Sequence, residues 1–191
     1  MRGMTEPEVF VLADRALDRV VAQIPDGAWA MQLPASFATR RIDHTPTLGE
    51  IVNYHAYDDA WVPDMLAGRT MEEAGREKFD GDLLGGKRSF AAIVAGACAA
   101  AIEVDALDRV VHCSFGDFPA RHYFWQITQF RGLRAHDIAR VIGAPLTYPR
   151  SPSRGSGLRS APTPSSGERS ASSRRPWRWH PTHRCLIACS A

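Results

Sequence analysis

The sequence predicts an all-α fold, an up-and-down four-helix bundle followed by a disordered basic tail. Three observations carry this prediction. Four segments repeat apolar residues every three or four positions, the period of one helix face. Two of these segments open on Thr-x-x-Glu capping boxes. Strand-like alternation is almost absent. A chain of 191 residues, 45% of them hydrophobic, suffices for one domain with a real core and hardly for two.

The first helix is expected over about Glu6 to Ile24. Thr5 and Glu8 form its capping box, and Val9, Ala13, Ala16, Leu17, Val20 and Ile24 its apolar stripe. The second starts at Thr47, where Thr47 and Glu50 repeat the box. It carries Ile51, His55, Asp58, Asp59 and Val62 before Pro63, which should kink or end it, because proline lacks the donor for the helical ladder. A long glycine-bearing connection, Ala67 to Arg88, leads to the third helix, about Ser89 to Val104, with Phe90, Ile93, Val94, Ala97 and Ala101 inward. Cys98 reads as a small core residue there, and Cys113 lies at a loop edge. Trp29 and Trp61 are expected to plug the ends of the core.

The fourth helix is read within Gly116 to Gly143. Asp117 serves as its cap, Pro119 fits the first turn, and Gly143 fits a left-handed C-terminal cap. His122, Gln126, Gln129, Leu133, His136 and Arg140 recur at spacings of three, four or seven, and this stripe is taken as the inner face, lining a polar pocket. Asp58 and Asp59 would be solvated or paired with Arg134 or Arg140.

Composition changes near Leu146. Residues 150–191 hold eight arginines, ten serines, five prolines, no lysine and a single acid, Glu168, for a net charge of +7 within a chain whose total is +2. Such a segment buries too little apolar surface to offset its ordering entropy, so disorder is expected from residue 146 onward, with residues 5–145 forming the bundle. His180, His183, Cys185 and Cys189 have a spacing zinc could use, and Arg174 to Arg178 alternate with Trp177 and Trp179 as in a nucleic-acid-binding arm. The Arg, Ser, Pro, Gly and Ala bias is also that of GC-rich DNA read out of frame, and the tail reads as such a product in preference to a nucleic-acid-binding arm.

The function classes narrow accordingly. No apolar run approaches the ~20 residues that span a bilayer. The N-terminus, MRGMTEPEVFV, lacks the core of a signal peptide, and the four cysteines suggest no disulfide framework, so a cytoplasmic location is expected. No Ser-His-Asp or Cys-His arrangement has local support, no phosphate-binding glycine loop is present, and Cys113 beside His112 is a bare dipeptide.

The order TLGEIVNYHAYDDAW, GDFPARHYF and HDIARVIG resembles the DinB-like superfamily, and within it the metal-binding domain of mycothiol-dependent maleylpyruvate isomerases, a branch common in actinobacteria. The resemblance spans about Val9 to Ala144. It rests on a histidine midway along the second helix, a Gly-x-x-Pro start to the fourth, and Asp137-Ile138-Ala139-Arg140 near its end. It implies a four-helix bundle holding one divalent metal, zinc or nickel, through a histidine on the second helix and a Glu-x-x-x-His pair on the fourth, with a low-molecular-weight thiol such as mycothiol activated for transferase or isomerase chemistry on a small-molecule substrate. His55 stands at the helix-two position. In this register the glutamate falls on Phe130 and the histidine on Arg134, neither of which ligates a metal. A compensating set would be His55, Asp59 and His136, with His122, Gln129 and Arg134 lining the pocket or orienting the ligands. The alternatives are a degenerate, non-catalytic member in which His55 and His136 are hydrogen-bonded core histidines, binding a small ligand or a protein partner, and nucleic-acid binding through the tail.

Overall fold

The computed structural model describes residues 3–39, 42–84, 87–114 and 116–146. The expectations for the basic tail, including its candidate zinc and nucleic-acid residues, lie outside the described residues. The chain is mainly helical, with α1 (Glu6–Val21), α2 (Leu48–Leu66), α3 (Met71–Ala74), α4 (Lys87–Ile102) and α5 (Ala120–Ile142), and one short antiparallel hairpin, β1 (Val110–Cys113) and β2 (Gly116–Pro119). Among the described residues no helix is long and apolar enough to cross a membrane.

The helix starts follow local chemistry. Both expected capping boxes form, Thr5–Glu8 at α1 and Thr47–Glu50 at α2, and a third, Thr70–Glu73, opens α3 inside the long connection. Each lets a glutamate accept from the threonine N–H, at 2.7 Å in α1 and α2, satisfying a donor the helix itself leaves bare. α2 runs through Pro63 to Leu66, so the proline does not end it; what it removes is one donor, to the carbonyl of Asp59.

The start of α5 differs from expectation. Residues Gly116 to Pro119 are a strand, with Asp117 opposite His112 in the hairpin, so Asp117 is no helix cap. The first N–H groups of α5 are instead met by loop carbonyls: Ala120 N–H donates to Arg109 and Arg121 N–H to Leu107, at 2.8 and 3.0 Å. A helix whose orphan donors find backbone acceptors needs no side-chain cap. At the other end Gly143 adopts the left-handed conformation, φ 67°, as predicted.

Two apolar clusters fill the interior. One gathers Leu17, Val20, Ile51, Val52, Phe90, Val94, Ala135 and Ile138. The other gathers Phe10, Trp61, Val62, Ala97, Ala101 and Phe124. Trp29 packs against the first and Trp61 lies within the second. Along α1 and α5 the chain passes from the second cluster to the first; along α2 and α4 it passes from the first to the second. α2 and α4 therefore run in the same sense, and strict up-and-down alternation does not hold. The connection between them is long because it must carry the chain back along the molecule. It is tied down by Asp64, which pairs with Arg69 at 3.0 Å and Lys78 at 2.8 Å, and by Asn53, which accepts from the Leu83 N–H.

α1 packs closely on α4 and α5, and α2 on α4, whereas α2 and α5 approach less closely. Large side chains fill the space between that pair.

A candidate site between the apolar clusters

On three of the long helices, buried polar residues fall between the positions that serve the two clusters: Asp14 on α1, Asp59 on α2, Arg131 and Arg134 on α5; His55 lies one turn before Asp59, among the first cluster's positions. α4 adds Cys98 at its own boundary. The helical interior thus has a polar layer with two parts.

The first part is a carboxylate–guanidinium cluster. Arg131 is fully buried; its Nε and Nη2 both donate to Asp59 Oδ1, its Nη1 donates to the Ile127 carbonyl at 3.1 Å, and its Nε lies 3.3 Å from Asp14 Oδ1. The guanidinium also sits 5.5 Å over the Phe10 ring. Cys98 donates weakly to Asp14 Oδ2 at 3.7 Å. Two acids share one cation, so one negative charge is left over. Asp14 Oδ1 and Asp59 Oδ2 both lack a hydrogen-bond donor, and a proton between the two carboxyls supplies it. Burial, and then the Asp59 charge, push the Asp14 pKa well above the usual carboxylate range. Asp14 is thus the group that keeps the proton, while Asp59 takes the strong bonds from Arg131. Burial works against the Arg131 cation, but the two acids outweigh it and hold its pKa above the usual arginine value. Burial, and next the Asp14 carboxyl, push the Cys98 thiol up to about 12, far from a reactive thiolate.

The second part surrounds His55. Its ring is fully buried, with Phe130 5.0 Å away and Tyr54 edge-on at 5.8 Å. Neither ring nitrogen has a hydrogen-bond partner. Burial, then the Arg131 and Arg134 charges, push its pKa well below the usual histidine value, so the ring is neutral. Arg134 is 8% exposed and lies between two aromatic rings, 4.7 Å over Phe37 and 5.5 Å over Phe130. Among the described residues no hydrogen bond or ion pair engages its guanidinium.

The expected site residues divide. His55, Asp59 and Arg134 are buried. The stripe taken as the inner face of the last helix lies mostly on its outer face: His122, Gln129, Leu133, His136 and Arg140 are exposed, and Gln126 is half-buried. The face that is buried carries Tyr123, Phe124, Thr128, Arg131, Arg134, Ala135 and Ile138. His136 is about 200° around the helix from Arg134, so it turns to solvent while Arg134 turns in. His136, His122 and Gln129 are therefore not brought together with His55 and Asp59. The partner of Asp59 is Arg131, not Arg134 or Arg140.

Asp14 and Arg131 were missed by the sequence reading. Their signal was positional: Asp14 lies four residues after Phe10 and three before Leu17, and Arg131 four before Ala135 and seven before Ile138, each on a buried stripe. Charge type masked the position.

The donor set does not fit a divalent metal. His55 offers a nitrogen, but Asp59 is held by a guanidinium and His136 faces away. Two cations stand close enough to His55 to depress its pKa, and a metal ion beside them would meet like charge. Among the described residues no group of three His, Cys, Asp or Glu side chains has a metal-holding arrangement. No protein-family model, curated protein or solved structure matches the chain.

Proposed function

We propose that this chain is a DinB-like four-helix bundle that works by binding a small ligand or partner, without metal-dependent thiol chemistry. The observation that supports this reading most directly is the pairing of Asp59 with Arg131. A carboxylate held by a buried guanidinium is not a spare metal ligand, and pulling it away would strip Arg131 of the two hydrogen bonds it donates there. The positions where the resemblance implies a glutamate and a histidine carry Phe130 and Arg134. These side chains convert a cation-holding position into an aromatic and cationic one.

The metal-dependent reading keeps one supporting observation, the two unpartnered nitrogens of His55. Elemental analysis separates the two. Protein purified without chelator should carry far less than one equivalent of metal, and incubation with zinc or nickel should not raise its melting temperature. One equivalent of metal in the wild type, lost in His55→Ala, overturns the binding-only reading in favour of a metal-dependent transferase or isomerase.

A further inference from the structure

The outer face of α5 carries large apolar side chains that the core does not use. Trp125 stands 51% exposed and Leu133 69%, with exposed Gln129 between them. Apolar side chains gathered on one exposed face mark a protein contact site, whereas scattered single ones do not. The pattern around them is symmetric. The exposed residues His122, Trp125, Gln129, Leu133 and His136 follow at spacings of 3, 4, 4 and 3. Their types read histidine, large apolar, glutamine, large apolar, histidine from either end. At about 100° per residue all of them lie within about 40° of Gln129, so they form one stripe along about 21 Å of helix.

A stripe that reads alike in both directions suits a two-fold contact between identical helices. In such a contact residue i of one copy meets j of the other, and j meets i. With α5 antiparallel to its copy and Gln129 on the axis, Trp125 falls level with Leu133 of the second copy, and His122 with its His136. Trp125 and Leu133 then cover each other twice. The two Gln129 amides can each donate and accept across the axis, so their burial strands no polar group. No residue of the stripe is a carboxylate, an arginine or a lysine, so no such charge is desolvated there.

Charge selects the antiparallel sense. Arg121 and Asp137 stand eight residues before and after Gln129. They lie about 80° to either side of the stripe's centre, on its margins. Antiparallel helices set Arg121 of one copy level with Asp137 of the other; parallel helices set like charges level. Arg121 also pairs with Asp108 of its own chain at 2.9 Å, but both side chains are exposed and such a pair holds weakly.

We propose that the outer face of α5 is a self-association surface, at which two copies of this chain pair antiparallel about a two-fold axis through Gln129. It lies on the side of α5 away from Arg131 and Arg134, so it stands apart from the reading of the buried polar layer.

The test uses the full chain. Sedimentation equilibrium from about 1 to about 200 µM should show a monomer–dimer equilibrium with a micromolar midpoint. Leu133→Glu sets a carboxylate against Trp125 of the second copy, twice per dimer, and should weaken association about tenfold or more. Disulfide mapping reads the register. Only a residue on the axis meets its own copy, so Gln129→Cys should oxidise to a dimer joined at position 129. Mass spectrometry of the linked peptide distinguishes this bond from any formed by the native cysteines. Leu133→Cys should not link to its own copy, because those positions stand about 12 Å apart along the helix, beyond disulfide reach. Wild-type protein that stays monomeric throughout overturns the proposal. So does a dimer that Leu133→Glu, shown folded by circular dichroism, leaves unweakened. A dimeric protein that fails to link at position 129, or links as well at position 133, overturns it too. The mapping removes no core side chain, so it decides the matter even if Leu133→Glu folds poorly.

Discussion

Arg131 and Arg134 are three residues apart on α5, both face inward, and both are nearly or wholly removed from water. Their surroundings are opposite. Arg131 spends its donors on Asp59 and on the Ile127 carbonyl, with Asp14 alongside. Arg134 lies between two phenyl rings and donates to nothing among the described residues. A paired buried arginine belongs to the architecture, because removing it strands the acids it neutralises. Arg134 instead rests on aromatic faces, which stabilise its charge without accepting from its donors. The contrast separates a charge-paired cluster from an aromatic-cradled cation within the same core.

The largest expected effect tests the structural half. Replacing Arg131 by methionine keeps much of the volume but leaves Asp14 and Asp59 buried without a cation. Breaking a buried pair by removing one partner costs about 3–5 kcal/mol, and that loss is expected in chemical denaturation at neutral pH. Asp59→Asn should cost less, since the amide oxygen still accepts from Arg131 and Asp14 alongside can ionise to balance the cation. A loss below about 1 kcal/mol in Arg131→Met, the scale of an exposed ion pair, would remove the distinction drawn between the two arginines.

A smaller effect distinguishes the two acids. Asp14 holds its proton in the fold, so its folded pKa exceeds that of the unfolded chain. Its contribution to stability is complete below the ordinary aspartate range and is lost as pH rises through the raised value, because deprotonation leaves two carboxylates around one guanidinium. Asp14→Asn keeps a donor toward Asp59 and removes the titration. It should cost about 1–2 kcal/mol for the altered hydrogen bonding. The descent of wild-type stability with rising pH should flatten in this variant. An unchanged pH slope would show that Asp14 does not carry the proton.

How much of this was legible in the sequence depends on how local the physics is. The capping boxes at Thr5 and Thr47 and the left-handed Gly143 involve residues within a turn, and they form as read. The interior position of His55 followed from its place between Ile51 and Val62 on one face. The start of α5 was misread because its donors are met by Leu107 and Arg109, carbonyls that no cap motif reveals. The hairpin before it has strands of four residues each, too short for alternation to register. The inner face of α5 was misassigned for a different reason. The stripe read as inner is polar but for Leu133, whereas Tyr123, Phe124, Ala135, Ile138 and Ala139 mark the buried face and two arginines interrupt it. What lets Arg131 sit on that face is an acid 72 residues away in the chain, and sequence spacing cannot show such a partner.

The smallest expected effect concerns Arg134. Arg134→Met removes a cation that has no acid partner, so no buried carboxylate is stranded. Two terms oppose each other. The variant loses the cation–π contacts with Phe37 and Phe130, worth about 0.5–2 kcal/mol. It gains the desolvation that the guanidinium no longer requires, the same burial that pulls the Arg134 pKa below its ordinary value. The methionine side chain still packs between the rings. Stability should therefore change by about 1 kcal/mol or less, in either direction, several-fold less than for Arg131→Met. Thermal or chemical denaturation of the two variants side by side makes the measurement. If Arg134→Met proves as damaging as Arg131→Met, Arg134 is part of the frame, and its aromatic cradle is the partner the fold requires. If it is nearly neutral, the fold does not depend on that cation, and the two arginines differ in kind as their surroundings do.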